Sequence, residues 1–290
     1  MILNLISDKG NILPLVNNDK FFLINVDGHT SASTNMATGT IGGVDGDYIN
    51  SIQAQPRSIV LDLRINPGED VEDVKRYILQ FIKLKKKVKL RWEQLEREIE
   101  IEGVVESIEM PRWTNGVTMQ VAIHCENPFW EDVDYVIQMI SQIINAHYFT
   151  EDIYDELYFP AEGIMLGEYD TTRTKQFTND GDVAVGLEIS IMALGTVTNP
   201  IMYAEDGSFF GIGYGTGNKQ LVMNAGDVIR INTKKGQKSV TLNGVPVFDK
   251  IKSRSTWLQL ESGINTFSIN SDDQDIDNMY FSLQFKQLYI

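Results

Sequence analysis

Hydrophobic positions along the chain follow two rhythms, and the balance between them shifts near the middle. Residues 21–26, FFLINV, form a short apolar run closed by Asp27-Gly28, which predicts a strand ending in a turn. Residues 58–65 alternate cleanly. Ile59, Leu61, Leu63 and Ile65 share one face and Val60, Asp62 and Arg64 the other, as in a half-buried strand ended by Asn66-Pro67-Gly68. From 69 to 87 the period changes. Val71, Val74, Ile78, Phe81 and Ile82 recur at helical spacing, with acidic residues 69, 70, 72 and 73 in the first turns and Lys83, Lys85, Lys86 and Lys87 in the last. Both ends of that predicted helix suit its dipole, a solvated reading that competes with a nucleic-acid patch for the lysine run. Residues 88–92 then pair with 98–105 across a turn near Gln94, and a loss of phase after Gly103 predicts a bulge at or near that glycine.

Residues 117–125 alternate again and leave through Asn127-Pro128-Phe129-Trp130. Apolar residues 133, 136, 137, 140, 143 and 144 fall at helical spacing and predict a helix over 131–146, although their Ile and Val content also suits strands. Residues 146–170 are mixed, acidic and aromatic, and read as a linker or extended crossing segment. From 183 onward the chain is all strand and turn. Asp206-Gly207, Asn243-Gly244 and Ser262-Gly263 punctuate alternating runs, and strands separated by turns every ten or so residues indicate a β-sandwich.

The polar positions offer few chemical candidates. Glu96, Glu98, Glu100 and Glu102 lie on one face of their strand, either an ordinary wet face or the lining of a channel. Residues 29–55, rich in Ser, Thr, Gly and Asn around GGVDGDY, read as a long loop, either flexible or an arm that orders on a neighbour. His124 and Cys125 are neighbours in a strand, so they point to opposite faces and cannot form a nucleophile and base pair without a bulge. GIGYGTG from Gly211 lacks dinucleotide-binding spacing and precedes a strand-like run, which favours a plain glycine-rich loop. Asp272, Asp273, Asp275 and Asp277 resemble a calcium loop, but Asn278 and Gln284 stand where an EF-hand needs Gly and Glu. His29, His124 and His147 share no ligand spacing. No catalytic, metal or cofactor site is expected, and nothing argues for an enzyme.

Composition narrows the remaining classes. The 290 residues suit two domains, and 42% hydrophobic with 22% charged residues describe an ordinary globular protein. A formal net charge of -15 argues against a protein that grips phosphates, while leaving room for a wall past which nucleic acid slides. One cysteine excludes a disulfide framework. The start, MILNLISDKGNILPL, does not read as a signal peptide, and no apolar run reaches membrane-spanning length, so a soluble protein made in a cytoplasm is expected.

Taken together, the chain resembles the distal tail proteins of long-tailed bacteriophages, the siphovirus-type tail component family. TNDGDVAVGLEISIMALGTVTNPIMY, GDVIRINTKKGQKSVTLNG and STWLQLESGINTFSI carry the resemblance most strongly. VDGDYI, RSIVLDLRI, the acidic-to-basic helix and HCENPFW fit the family's layout in the first half. The resemblance implies a mainly β protein with one clear helix. A tail-tube-like β-barrel or sandwich at 1–135 would build a ring, a crossing segment would fill 136–170, and a galectin-like, carbohydrate-module-like sandwich would occupy 171–290. It implies a homohexameric ring in the virion at the tail tip, made in the host cytoplasm, with no membrane insertion. Its partners would be a tail tube protein, a tail-associated lysin or baseplate hub protein, and a receptor-binding protein, with DNA passing through the lumen unbound. Glu96, Glu98, Glu100 and Glu102 become candidate lumen-facing residues on this reading. Thr30, Asn35, Asp45, Asp47 and Tyr48 become a candidate subunit or tube contact. The rival reading is a carbohydrate-binding module for host cell-wall polysaccharide, with Tyr203, Phe209, Tyr214 and Trp257 as its exposed-aromatic candidates; a hydrolase is a third.

Overall fold

The computed structural model describes residues 2–94, 97–110, 117–139, 143–145, 167–169, 174–272 and 278–290. The chain divides into two compact units, Met1–Asp134 with Leu288–Ile290, and Tyr135–Gln287. The division read from the sequence assigned 288–290 to the second domain and 136–139 to a crossing segment. The last strand, Leu288–Tyr289, instead pairs in the first unit, and residues 136–139 form a sheet strand in the second.

The first unit holds β1 (Ile2–Ser7), β2 (Ile12–Pro14), β3 (Phe21–Asp27), β4 (Thr34–Gly39), β5 (Tyr48–Ala54) and β6 (Arg57–Ile65). The helix α1 (Val71–Phe81) follows, then β7 (Lys87–Gln94), β8 (Arg97–Glu109), β9 (Thr118–Cys125) and β10 (Trp130–Asp132). A nine-stranded sheet runs in the order β2-β1-β7-β8-β9-β6-β3, with β10 and the strand Leu288–Tyr289 attached at β8. The alternation seen in sequence sets its register. Ile59, Leu61 and Leu63 of β6 lie opposite Ile123, Val121 and Met119 of β9, and all six side chains are buried. They form one core with Leu3, Leu5, Leu90 and Ile101, closed by Val74, Ile78 and Ile82 of the helical segment.

The helix starts where its sequence signals place it. Asp70 is the N-cap, its side chain accepting from the backbone N–H groups of Glu72 at 2.9 Å and Asp73 at 3.0 Å. Its end differs from expectation. The helix stops at Phe81 with Ile82 already extended, so none of the four lysines lies in its last turn. Ile82 is fully buried, and the chain turns at 83–86 to enter β7.

Two other expectations are corrected and a third is located more closely. The helical spacing over 131–146 yields β10 and the strands Val136–Met139 and Ile143–Asn145, because each finds an antiparallel partner: β8 and Leu288–Tyr289 for the first, Met279–Phe285 for the second and Gly167–Tyr169 for the third. The loop at 29–55 contains an antiparallel hairpin of β4 and β5. The register shift in β8 falls between Val105 and Ser107, with Glu106 as the extra residue, and Gly103 stays in register opposite Val88. That glycine serves close packing instead: a Cβ there would lie 2.6 Å from the Ile123 side chain and 2.8 Å from the Cys125 sulfur.

The second unit contains a six-stranded antiparallel sheet in the order Val136–Met139, Met279–Phe285, Glu188–Ala193, Val228–Asn232, Ser239–Leu242, Val245–Pro246. A four-stranded sheet runs Thr174–Asn179, Gly263–Asn270, Ile201–Ala204, Phe209–Gly211. Each buries alternate residues, such as Ile189 and Ile191 in the first and Phe267 and Ile269 in the second. The hairpin turns match their signals: Asn243 and Gly244 both take positive φ, 49° and 82°, as a tight two-residue turn requires. The protein is thus mainly β, with one α-helix among the described residues.

Candidate interaction surfaces

The acidic row on β8 is answered by a basic row on β7. Lys87, Lys89 and Arg91 alternate along β7, and the antiparallel register sets them opposite or diagonal to the glutamates. Lys87 Nζ lies 2.6 Å from Glu102 and Lys89 Nζ 2.6 Å from Glu100, while Arg91 reaches Glu98 and Glu100 at 3.1 Å each. The hydrogen bond to Glu102 and its charge hold the Lys87 ammonium above its ordinary pKa. Glu100 is the centre of this ladder, with a side chain only 3% exposed. Each described member of the acidic row therefore carries a cationic partner. Glu96 lies outside the described residues.

The hairpin arm is the most exposed apolar feature of the first unit. A register shift between Ala37 and Thr38 makes Asn50 the extra residue of β5. That shift sets Met36, Thr38, Ile49 and Ile52 on one face, although no period of two appears in the sequence. Met36, Ile41, Val44, Tyr48, Ile49 and Ile52 are each 47–63% exposed. A two-stranded hairpin is at best marginal by itself, and a contiguous apolar face on one implies a partner. Asn35 and Tyr48 lie on its strands, Asp45 and Asp47 in its tip, and Thr30 in the segment leading to it; all five are exposed.

What the sequence did not disclose is the anchored root of this arm. Arg57 Nη1 and Trp130 Nε1 both donate to the His29 carbonyl, each at 3.1 Å. The His29 ring lies 5.2 Å from that of Trp92, which lies 5.9 Å from Trp130. The Gln55 N–H donates to Ser33 O at 2.8 Å and closes the loop. Gly28 takes φ 75°, and a Cβ there would sit 2.2 Å from the Ser58 carbonyl oxygen, so no other residue fits without backbone movement. Arg57 is buried, and burial holds its guanidinium below the ordinary pKa against an opposing effect of Cys125. An open groove of about 420 Å³ lies beside β3, lined by Leu3, Val16, Phe22, Leu23, Ile24 and Trp92 among others, with no carboxylate or nucleophile in its wall.

The remaining candidates resolve into packing. His124 is exposed and Cys125 fully buried, on opposite faces as the alternation requires. Burial pushes the Cys125 thiol up to about 11, the reverse of an activated nucleophile. The glycine-rich loop is organised by Asn199. Its side chain donates to Gly215 O at 3.2 Å and to Asp272 at 2.6 Å, and accepts from Leu221 N–H at 2.9 Å. Of the four aspartates that resemble a calcium loop, Asp273, Asp275 and Asp277 lie outside the described residues, as does His147. Among the described residues no group of three or more His, Cys, Asp or Glu is placed to hold a metal. No helix there is long and apolar enough to cross a membrane.

The four aromatics do not converge on one site. Tyr203 and Phe209 pair at 6.0 Å, with the Lys252 ammonium 5.7 Å from the Phe209 ring. Trp257 packs 4.9 Å from the buried Phe210 and 6.5 Å from Phe248, with Lys238 over it at 5.3 Å. Tyr214 pairs with neither group in these contacts.

Comparison with known proteins finds similarity in sequence and in fold. Residues 180–289 match the model of the siphovirus-type tail component family, C-terminal domain. The SPP1 Dit protein, described as a paradigm of hub adsorption apparatus in Gram-positive infecting phages, has a similar fold: 15% identity over 100% of both chains, TM-score 0.67. The phage P2 baseplate in its activated conformation with Ca matches at 11% identity over 98% of this chain and 97% of that one, TM-score 0.46. No curated protein matches. The resemblance read from the sequence is borne out as a similarity: residues 180–289 match that family's C-terminal-domain model, and the whole chain shares the fold of the SPP1 Dit protein.

Proposed function

We propose that this protein is a structural ring component of a phage tail tip, joining the tail tube to the baseplate proteins beneath it. The match of residues 180–289 to the tail component family, on a chain whose fold follows the SPP1 hub protein from end to end, carries the proposal. The ring is a homohexamer built by the first unit, and DNA passes through its lumen. The arm at 34–54 fits this role, since its apolar face has to be covered and a neighbouring subunit or the tube supplies the cover. A conduit should not hold its cargo, and the net charge of -15 repels phosphate without help from the paired row on β8. The second unit docks adsorption proteins at the periphery of the virion's tail tip. The protein acts through surfaces and not as an enzyme. Light scattering and negative-stain microscopy of the purified protein, alone and with its tube and baseplate partners, should reveal a six-membered ring. A strictly monomeric species in every one of those conditions would overturn the proposal.

A further inference from the structure

The lysine run lies beyond the end of α1 and not in its last turn. It is instead a rigid, outward loop. Lys86 N–H donates to Lys83 O at 3.1 Å, and Lys85 N–H and Val105 N–H tie the loop to β8 through Val105 O and Lys86 O at 3.3 and 3.2 Å. Lys85 is held at φ 63°, a conformation that L side chains rarely adopt. Lys83, Leu84, Lys85 and Lys86 are all exposed, Leu84 by 57%. Lys86 pairs with Asp8 at 3.5 Å, and no ion pair engages Lys83 or Lys85 among the described residues.

A strongly acidic chain thus presents one apolar side chain set among three ammonium groups. The tip of its own arm presents the inverse. Val44 is exposed between glycines and carboxylates in GGVDGD, and Asp45 and Asp47 are exposed with no ion pair among the described residues. The arm's strands of six and seven residues carry that tip roughly 20 Å from its root at about 3.3 Å per residue. We propose that the Lys83–Leu84–Lys85–Lys86 loop of one copy receives the Val44–Asp45–Gly46–Asp47 tip of the next, apolar against apolar and carboxylate against ammonium. The contact is heterologous, different patches meeting head to tail, which is the kind that closes a ring. It rests on the ring reading above and names the receiving surface for the arm.

The test is a charge exchange in the full chain. Lys83→Glu with Lys85→Glu, and separately Asp45→Lys with Asp47→Lys, should each weaken ring assembly about tenfold or more at low salt, read by light scattering across a dilution series. The two exchanges combined in one chain should restore it. All four positions exchanged are exposed, and an unchanged thermal melt confirms that each variant folds. Rings that assemble equally well in both single exchanges overturn this contact while leaving the ring proposal standing. A wild-type protein that never assembles overturns both.

Discussion

Glu100 decides whether the row on β8 is a ladder or a bare acidic wall. Its carboxylate, 3% exposed, accepts from Lys89 at 2.6 Å and from Arg91 at 3.1 Å. Removing the charge with Glu100→Gln keeps the shape but leaves two cations facing a neutral amide. Breaking a buried pair costs about 3–5 kcal/mol, but Lys89 and Arg91 stay 40% and 28% exposed and recover part of their hydration. A loss of about 2 kcal/mol is therefore expected for Glu100→Gln, and about 3 kcal/mol for Glu100→Ala, which also opens a gap. Glu102→Gln is the control. Its partner Lys87 is open to water, so it should change stability little. Urea unfolding followed by tryptophan fluorescence suits the measurement, because three of the four tryptophans, at 92, 113 and 130, belong to the first unit's sequence. Raising the salt from roughly 0.05 to 1 M separates the two pictures further, since screening relieves a self-repelling wall but not a buried, paired carboxylate. A Glu100→Gln variant as stable as wild type, or more stable, would refute the ladder.

Three other expectations follow from the same geometry. Gly28→Ala forces a methyl group toward the Ser58 carbonyl at a positive φ and should cost roughly 3 kcal/mol; a melting temperature within about 2 °C of wild type would count against it. The Cys125 thiol is raised from 9.0 to about 11, so the folded state keeps its proton while the unfolded chain loses it. Its contribution is complete below pH 9 and is lost as pH rises toward 11, up to roughly 2–3 kcal/mol. That alkaline decline should be absent in Cys125→Ala, and an identical pH profile would contradict the assignment. Asn199→Ala orphans Leu221 N–H and Gly215 O and loses a residue suited to its positive φ of 51°; a loss of roughly 2–4 kcal/mol is expected by thermal denaturation.

The elements whose evidence is local were legible in the chain itself. Alternation in residues 58–65 and 117–125 named the buried faces of β6 and β9, and it separated His124 from Cys125, because neighbouring side chains in a strand must part. Asp70 announced the helix start by its own capping chemistry, and Asn243-Gly244 announced its turn. Order and spacing over the second half carried the resemblance to the siphovirus-type tail component family, whose C-terminal-domain model matches residues 180–289. The partners of Glu98, Glu100 and Glu102 were also within reach: KVKLRWE alternates its cations, and the pairing of the two strands was already expected.

Other features depended on residues far apart in sequence. The segment at 131–146 fits helix and strand alike, and hydrogen bonds to Met279–Phe285, over 140 residues later, settle Val136–Met139 as strand. The helix end follows from Ile82 entering the core in extended form, which no end signal records. One extra residue at Asn50 breaks the period of the arm and hides its apolar face. The arm's root joins His29, Arg57, Trp92 and Trp130, whose contacts exist only once β6, β7 and β10 lie in one sheet. Local chemistry dictated which faces are apolar. Tertiary pairing alone decided which of them the first unit leaves uncovered, because strand partners are chosen by hydrogen bonds and packing across the whole chain.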